Sequence, residues 1–456
     1  MADCAVRVAV RARPPLSEKS GISMNFLPEP PTIIIHDRSF TYDYVFTPDK
    51  SNQDIYDTAV ADKLQYIFEG YNLTILAYGQ TGSGKTYTMG TDYASRKTAT
   101  FSELGIIPRG LNDIFLGIHN KVNTSDFVVK VSFLEVYQED VYDLLKKTKE
   151  IFTCSVREDS DGIKVPNLTE IVVHSAEEAL SALEQGARAR STGATAMNLV
   201  SSRSHAIFAV HVEQTDRITL NITRSRFQLV DLAGSERIGR SKTEGVRLKE
   251  GININLGLLS LGNVISALAE GKSHIPYRDS KLTRLLMDTL GGNCHTLLIA
   301  CVNPSPESTE ETVNTLRYAG RARRIRNTPV VNNDPPEVQI QKLKDRVRLL
   351  EAQLYELQST GVIKDSSENS DLRVNIKTLQ TQLQAALEKI ANLMENKIQV
   401  EEKFEMLGEK INALHEEVVL CVTNLSSELE GCPNINSAVQ KIKERCFELM
   451  VSLHLV

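Results

Sequence analysis

The spacing of hydrophobic positions changes several times between the N-terminus and about Arg326. Short apolar runs, typical of buried or half-buried strands, occur at Phe127–Val136, His205–Val212 and Phe227–Asp231. An amphipathic helical pattern covers Ala176–Arg190. Because short strands that alternate with amphipathic helices build layered α/β domains, this pattern predicts an α/β layer architecture.

After Pro336 the hydrophobic positions follow the heptad spacing of a coiled coil. One heptad pattern covers Ile340–Leu357 and a second, longer one covers Ile376–Val418. A helix folded against the N-terminal domain, or an antiparallel hairpin, is the alternative, because short heptad patterns specify partners poorly. We predict a short neck coiled coil at 338–358, a flexible hinge at 359–371, a coiled coil at 372–421 and a C-terminal helical tail at 422–456.

Composition and charge narrow the class of protein. The chain has 456 residues, 41% of them hydrophobic and 24% charged, a length that predicts two or more regions. No apolar run reaches the roughly 18–20 residues of a membrane span, and Met1–Val10 lacks the apolar core of a signal peptide. Seven cysteines without a C-x-x-C pair favour a reduced intracellular protein without structural zinc. A net charge of −6 argues against extensive nucleic-acid binding but allows a local basic face.

The most specific chemical signal is a glycine-rich loop after a predicted buried strand, Leu73–Ala77. The loop has the sequence Gly79-x-x-x-x-Gly84-Lys85-Thr86, and a helix is predicted directly after it. Glycines let the backbone N–H groups of such a loop turn toward one phosphate chain. Lys85 suits the β- and γ-phosphates, and the Thr86 hydroxyl suits Mg²⁺. A surface loop that matches by chance is the alternative, but the strand-loop-helix context argues against it, and we predict a nucleoside-triphosphate site.

Two further segments lie downstream. Asn198–His205 is rich in hydroxyl groups and precedes a strand; by itself it could be a turn whose serines cap backbone groups. Leu229–Arg237 begins as a buried strand that carries Asp231 at its carboxyl end, as in the Walker B arrangement for Mg²⁺. Gly234 would let a backbone N–H group approach a γ-phosphate, so the following loop could sense that phosphate. Alone, this segment would be interpreted as a strand that ends in an ordinary glycine turn.

Together, in this order and spacing, the three segments closely resemble the kinesin motor domain. The resemblance covers roughly residues 5–335, and its motifs are highly specific. It rests on Gly79–Thr86, Asn198–His205 and Asp231–Glu236, with further matches at Arg11-x-Arg13-Pro14, Ser132–Glu139, His274–Arg284 and Asn314–Ala319. Within the family, the chain looks most like kinesin-4, the chromokinesin group, at Lys249–Asn255, Leu258–Leu268 and Arg321–Asn332.

The resemblance implies how ATP and Mg²⁺ are bound. A flat apolar and cationic clamp would hold the adenine ring, and the chain lacks a guanine-reading motif, so ATP is favoured over GTP. The residues implied to hold Mg²⁺ are Thr86, Ser202 and Asp231. The residues implied to bind the nucleotide are the clamp Arg11, Arg13, Pro14 and Tyr87, the loop Gly79, Gln80, Thr81, Gly82, Ser83, Gly84, Lys85 and Thr86, and Asn198 near the γ-phosphate.

The resemblance also implies how hydrolysis proceeds. Asn198–His205 would be switch I, and an ion pair between Arg203 and Glu236 would close it against switch II. Closure would position a water molecule for in-line attack. Because the chain offers no separate strong base, we expect a proton relay through Glu236. The expected catalytic residues are Ser201, Ser202, Arg203, Gly234 and Glu236.

Basic residues cluster downstream of switch II. By resemblance they belong to the switch II helix and its adjoining loop, which dock on the acidic surface of tubulin; a solvated basic face without a partner is the alternative. Leu256 departs from the family pattern, because many kinesins carry Lys or Arg there, and weaker microtubule affinity is expected. The residues expected to contact microtubules are Lys242, Arg247, Lys249, His274, Arg278, Lys281 and Arg284.

The resemblance assigns residues 1–326 to the motor domain, and it implies an α/β P-loop NTPase fold with a central, mostly parallel or mixed sheet flanked by helices. It assigns residues 327–337 to the neck linker, the segment that docks along the core when ATP binds. Its usual partner, a cover strand at Met1–Val6, is short here. Pro329, Pro335 and Pro336 restrict the linker and remove hydrogen-bond donors, which leaves open how much force docking generates.

The function implied is microtubule-stimulated ATP hydrolysis coupled to plus-end-directed movement by a mitotic, kinesin-4 type motor. One alternative is a regulator of microtubule plus ends; another, from a different class, is a non-catalytic microtubule- or chromatin-binding adaptor. The intact Lys85, Asp231 and Glu236 argue against the adaptor. We expect a homodimer on cytoplasmic and spindle microtubules, with the nucleus and chromosomes as further locations. A chromatin or cargo partner would bind a tail beyond this chain, whose abrupt end suggests a fragment.

Overall fold

The computed structural model describes residues 4–15, 21–92, 103–146, 153–159, 162–192, 202–218, 221–236 and 246–359, together with 377–378, 381, 384–403, 405–406 and 408–409. They belong to two compact units, Met1–Asp334 and Pro335–Val456. Asn198, Ser201 and Lys242 lie outside the described residues, as do most of the expected hinge and the whole expected tail.

The first unit contains the strands of a large sheet and of three small ones. In chain order they are β1 (Cys4–Ala5), β2 (Arg7–Ala12), β3 (Asn25–Leu27), β4 (Thr32–Ile35), β5 (Arg38–Thr41), β6 (Tyr44–Phe46), β7 (Leu73–Tyr78), β8 (Ser125–Tyr137), β9 (Asp140–Asp143), β10 (Thr153–Cys154), β11 (Arg157–Asp159), β12 (Gly162–Lys164), β13 (Ile171–Val173), β14 (His205–Asp216), β15 (Ile222–Asp231), β16 (His295–Val302) and β17 (Arg326–Asn327).

The large sheet is mixed. Its order in the described residues is β10-β9-β8-β14-β15-β7-β16-β2-β6, with β13 paired to β8. Strands β15, β7, β16, β2 and β6 are parallel to one another, whereas β14 is antiparallel to both β8 and β15. This arrangement confirms the predicted α/β class. The three strands predicted from apolar runs are present and longer than expected, because β8, β14 and β15 continue into polar ends.

Helices cover both faces of the sheet. They are α1 (Asn52–Ala59), α2 (Gln65–Phe68), α3 (Lys85–Met89), α4 (Ile106–Asn120), α5 (Ala176–Thr192), α6 (Val246–Ala269), α7 (Lys281–Leu285) and α8 (Thr309–Ala322) in the first unit, and α9 (Pro336–Ser359) in the second. In the described ranges, no helix is both long and apolar enough to cross a membrane.

The hydrophobic core has two layers because side chains of a strand alternate between the faces of the sheet. Ile75 and Ala77 of β7 join α1, α4 and α5 in one layer. Leu76 and Tyr78 join α6, α7 and α8 in the other. All six residues of β7 are buried, as expected for a central strand covered on both sides. The loop after β7 is therefore attached to the most buried strand of the domain.

The ends of the first unit meet in a small antiparallel sheet. Cys4 pairs with Asn327, and Ala5 pairs with Arg326, so β1 and β17 lie side by side. The Val6 N–H group extends this pairing to the carbonyl oxygen of Ile325 at 3.1 Å.

The second unit contains contacts between helical segments that are distant in sequence. Lys397 Nζ lies 3.1 Å from Glu337 Oε1, which joins the start of α9 to the helical residues 384–403. Leu343, Leu350 and Ala386 are buried. These observations favour the antiparallel hairpin over an exposed heptad surface, and the coiled coil at 372–421 stays a prediction.

Candidate nucleotide-binding site

The predicted phosphate loop occupies the turn between β7 and α3. Gly82 and Gly84 have φ angles of +75° and +98°, the left-handed region in which residues with a Cβ are strained. A Cβ on Gly82 would meet no other atom within 4 Å, so the backbone conformation, and not crowding, accounts for glycine there. The loop lies at the carboxyl end of a central strand, where α/β proteins bind ligands.

The Lys85 side chain is hydrogen-bonded to two carbonyl oxygens of this loop. Its Nζ atom donates to the carbonyl oxygens of Gly79 at 2.8 Å and of Gln80 at 3.0 Å. Burial lowers the pKa of the Lys85 amino group, and the Asp231 carboxylate partly opposes this shift. Phosphate oxygens within the loop would stabilise the charged amino group, so the site favours an anionic ligand.

Asp231 ends β15 beside Ala77 of β7, so the loop and the carboxylate lie on neighbouring parallel strands. Asp231 Oδ2 accepts hydrogen bonds from the hydroxyl groups of Thr86 and Thr91, each at 2.8 Å. Asp231 Oδ1 is buried and has no hydrogen-bond partner among the described residues. A buried carboxylate oxygen with a free lone pair, next to the Thr86 hydroxyl, fits the water shell of a Mg²⁺ ion. Thr86 and Asp231 are therefore suited to hold this ion.

The segments after β7 and β15 are tied together by backbone hydrogen bonds. Ser235 N–H donates to the carbonyl oxygen of Gly79 at 3.1 Å. Gly234 N–H donates to the carbonyl oxygen of Ser202 at 2.9 Å, which connects both segments to the one before β14. The three sequence segments singled out above thus converge on one site.

A family comparison decides which proteins share this arrangement. The family model of the kinesin motor domain matches residues 29–325. This chain belongs to the kinesin family. The recognition made from the sequence is therefore confirmed.

Curated relatives refine this placement. The chromosome-associated kinesin KIF4 of Mus musculus is 48% identical over 393 residues, which are 84% of this chain and 32% of the relative. KIF4A of Homo sapiens is 48% identical over 392 residues, with the same coverage. The kinesin-like protein KIF21B of Homo sapiens is 40% identical over 453 residues, 86% of this chain and 28% of the relative. The chain thus spans about a third of the length of the first curated relatives it matches.

A solved structure supports the fold. The structure of a fast kinesin, described for its ATPase mechanism and its interactions with microtubules, has a TM-score of 0.67 and 38% identity. The match covers 72% of this chain and 94% of that chain. The kinesin motor fold of the first unit is therefore established.

Switch II of this kinesin contacts the phosphate loop directly. Glu236 Oε2 accepts the backbone N–H of Thr81 at 2.7 Å, and Oε1 accepts the Thr81 hydroxyl. The ion pair between Arg203 and Glu236 that the resemblance implies stays a prediction.

Part of the expected adenine clamp lies inside the domain and is not exposed. Arg11 is buried, and its Nη1 atom donates to Asn52 Oδ1 at 2.5 Å and to Thr88 Oγ1 at 2.7 Å. Its guanidinium carbon lies 5.1 Å from the centre of the Tyr87 ring, a cation–π distance. Burial lowers the pKa of Arg11. In this arrangement Arg11 supports Tyr87 from within, and the clamp itself stays a prediction.

Arg13 and Pro14, two further residues of the expected clamp, follow β2. The Arg13 Nη1 atom donates to the carbonyl oxygen of Pro14 at 3.3 Å. A Cβ built on Gly84 would lie 3.9 Å from the Arg13 Cβ, so Arg13 borders the phosphate loop. These positions suit a contact with the nucleotide outside the phosphate chain.

Sequence reasoning missed three buried residues of the site. Arg190, near the end of α5, lies with its Nη1 atom 3.6 Å from Asp231 Oδ2. Thr91 donates to the same oxygen, as described above. His205 Nδ1 accepts the backbone N–H of Ala233 at 3.1 Å, and burial, with Arg190 and Lys85 nearby, lowers the pKa of His205 to about 3. Only His205, at the end of the switch I segment, lies in a segment whose spacing alone indicates a role.

The expected microtubule face contains two internal ion pairs. Arg278 Nη2 lies 3.0 Å from Glu158 Oε2, and Lys281 Nζ lies 3.1 Å from Asp140 Oδ1. His274 is exposed, and Arg284 is half-buried in the last turn of α7. Arg247 and Lys249 lie in α6, but their side chains are outside the described residues. On the same helix Leu256, the residue at which the resemblance implied a cation in many kinesins, is 42% exposed, and Leu259 is 63% exposed.

Proposed function

We propose that this chain hydrolyses ATP, that microtubules stimulate the reaction, and that the energy drives movement toward microtubule plus ends. The observation that carries the proposal is the environment of Asp231. In the described part of the chain its Oδ1 atom has no hydrogen-bond partner, its Oδ2 atom accepts the Thr86 hydroxyl, and Lys85 donates to a carbonyl oxygen of the phosphate loop. These are the parts that a P-loop motor needs to hold a nucleoside triphosphate.

The chemistry proposed for the chain is positioning and exclusion of water. Lys85 would move from the Gly79 and Gln80 carbonyl oxygens onto phosphate oxygens. Ser202 and Gly234 are already joined by a hydrogen bond, so closure of one switch would draw in the other. Glu236 would then orient a water molecule for in-line attack and accept its proton. Bound Mg²⁺ would supply charge neutralisation on the phosphate oxygens.

The proposed mechanical output is docking of the neck linker, residues 327–337. In the first unit Thr328 N–H donates to the Gly292 carbonyl oxygen at 3.0 Å, and Val330 N–H donates to Asn293 Oδ1 at 2.7 Å. Asn332 N–H donates to the Gly70 carbonyl oxygen at 2.9 Å. This row of hydrogen bonds supports a neck linker that docks along the core despite Pro329.

The proposed partner is the acidic surface of tubulin. The contact residues proposed are Lys242, Arg247, Lys249, His274, Arg278, Lys281 and Arg284. The first measurement is the steady-state ATPase rate of the purified chain with and without taxol-stabilised microtubules. Strong stimulation is expected. Little hydrolysis in both conditions despite bound nucleotide would support the non-catalytic adaptor instead.

A second candidate function, regulation of microtubule plus ends, rests on the apolar residues Leu256 and Leu259 and on the internally paired Arg278 and Lys281. Both features reduce the positive charge that is available to bind the side of the filament. High ATPase activity with unpolymerised tubulin, together with suppressed growth of dynamic microtubules, would favour this candidate over movement.

By its similarity to chromosome-associated kinesins, we propose a kinesin-4 type motor of cytoplasmic and spindle microtubules, with chromosomes as a further location. A homodimer through residues 372–421 is part of this proposal. The Glu337–Lys397 contact favours the competing hairpin. Light scattering of the full chain distinguishes the two, since a monomeric mass would exclude the dimer.

A further inference from the structure

Glu139 is a residue of the β8–β9 turn that the mechanism above does not use. Tyr137 and Asp140 pair across this turn, so its loop consists of Gln138 and Glu139. The φ angles of these two residues are +50° and +63°, the left-handed region that favours glycine or asparagine. Residues persist in this region where surrounding contacts hold them. The Glu139 side chain supplies such contacts.

The Glu139 carboxylate binds the start of α7. Its Oε1 atom accepts the Ser280 hydroxyl at 2.7 Å, and its Oε2 atom accepts the Lys281 backbone N–H at 2.7 Å. The Ser280 hydroxyl oxygen in turn accepts the Leu282 N–H at 3.1 Å. The first N–H groups of a helix lack partners within the helix, and side chains often satisfy them. Glu139 and Ser280 therefore cap α7 together.

This cap fixes a helix that carries two cations of the proposed microtubule face. Lys281 is the first residue of α7, and Arg284 lies in its last turn. A helix of five residues has little stability of its own, so the contacts at its start decide how it is oriented. By holding the backbone of Lys281, Glu139 determines from where both cationic side chains extend.

The same carboxylate lies against α6. A Cβ built on Gly257 of this helix would lie 3.2 Å from Glu139 Oε1 and 3.6 Å from the Ser280 hydroxyl oxygen. The first distance is shorter than an ordinary van der Waals contact, so glycine at this position lets α6 approach the cap closely. α6 also carries Arg247 and Lys249 of the proposed microtubule face. Glu139 therefore fixes the start of α7 where it meets the other helix of that face.

We propose that Glu139 is a positioning residue for filament binding, which holds Lys281 and Arg284 in the orientation that binds tubulin. The inference rests on the proposed function, because it concerns the same microtubule face. Glu139 is itself negative, so by charge alone its removal would strengthen binding to an acidic partner. The proposal requires the opposite result, because the loss of the cap releases the helix that carries the cations.

The test measures the ATPase rate of the full chain against the concentration of taxol-stabilised microtubules. In Glu139→Gln, the concentration for half-maximal stimulation should rise about 3- to 10-fold, within the range expected from the loss of a helix cap. The maximal rate should stay within about twofold of the unmodified chain, because only filament binding is changed.

The matched control is Asp140→Asn, which removes the same charge from the next residue. Asp140 Oδ1 lies 3.1 Å from Lys281 Nζ, so Asp140 contacts the side chain of Lys281, whereas Glu139 binds its backbone. The substitution frees the Lys281 cation for tubulin. The half-maximal microtubule concentration should therefore fall in Asp140→Asn and rise in Glu139→Gln.

Ser280→Ala tests the same cap from the side of the helix. It removes the hydroxyl group that joins Glu139 to the Leu282 N–H, so the half-maximal concentration should rise again. The double variant should be little worse than the stronger single variant, because both substitutions break one unit.

An unchanged or lower half-maximal concentration in Glu139→Gln would overturn the inference, since charge alone would then explain the result. Additive effects of Glu139→Gln and Ser280→Ala would also overturn it. So would an equally large loss of nucleotide retention, because Glu139 would then support the whole domain and not the filament face. If microtubules do not stimulate the unmodified chain, the proposed function fails instead.

Discussion

Glu236 and Thr81 are joined by two hydrogen bonds, one from the Thr81 backbone N–H and one from its hydroxyl group. This contact ties switch II to the phosphate loop. The carboxylate proposed to orient the attacking water is therefore held by the loop that would bind the phosphates. The proposed mechanism requires Glu236 to exchange Thr81 for the attacking water.

Replacing Glu236 should separate binding from hydrolysis. We expect Glu236→Ala to retain ATP binding and to lose hydrolysis by about 100-fold or more, the contribution of a positioned acid–base group. Single-turnover kinetics with microtubules measures the loss. Thr81→Val is the matched control, because it removes one hydrogen bond of the pair and keeps the Glu236 carboxylate. Normal turnover of Glu236→Ala would refute the role of this residue.

Docking of the neck linker should depend on Asp334. Its Oδ1 atom lies 2.6 Å from Arg224 Nη1, and the Asp334 side chain is 8% exposed. Ion pairs with a half-exposed partner contribute about 0.2–1 kcal/mol, so Asp334→Asn should reduce the docked population by up to about fivefold. We expect slower microtubule gliding with little change in ATPase rate.

The control for Asp334→Asn is Glu213→Gln. Glu213 also binds Arg224, at 2.9 Å, but its side chain is 41% exposed and it lies on β14, outside the linker. Equal gliding velocities of the two variants would contradict a specific contribution of Asp334 to docking.

The fold and the phosphate loop could be predicted because their signals are local. The apolar run of β7, the glycines after it and Lys85 are neighbours in sequence, and each requires only its own segment. Arg190 could not be predicted in the same way. It contacts Glu135, 55 positions away, and only the packing of α5 against β8 brings these two residues together.

The charges of the proposed microtubule face illustrate the same limit. The spacing of Arg278 and Lys281 indicates a common face, but their acidic partners Glu158 and Asp140 come from strands more than a hundred positions earlier. Arg11 likewise fits a surface clamp by sequence, whereas Asn52 and Thr88 hold it inside. Sequence patterns show which residues can carry charge, and tertiary contacts decide whether that charge is free.

Leu256→Arg should strengthen microtubule binding. Leu256 is 42% exposed on α6, and an added cation there would face acidic tubulin. We expect affinity at low salt to increase by about two- to fivefold and to fall more steeply as salt is raised. Cosedimentation at several salt concentrations measures both effects. Leu116→Arg on α4, at an apolar site that is 59% exposed, should change neither; a similar gain there would mean that net charge alone is responsible.

His205 should make the motor domain less stable in acid. The pKa of His205 is lowered to about 3 in the fold, against about 6.5 in an unfolded chain. Between these values the unfolded chain binds a proton that the folded chain does not, so the free energy of unfolding falls as pH falls below about 6.5, by about 1.4 kcal/mol per pH unit. His205→Gln keeps an acceptor for the Ala233 N–H and removes this proton. Thermal unfolding at pH 7.5 and 5.5 should show a smaller loss of stability in this variant than in the unmodified chain or in His274→Gln, an exposed control; equal losses in all three would show that another buried group governs the acid response.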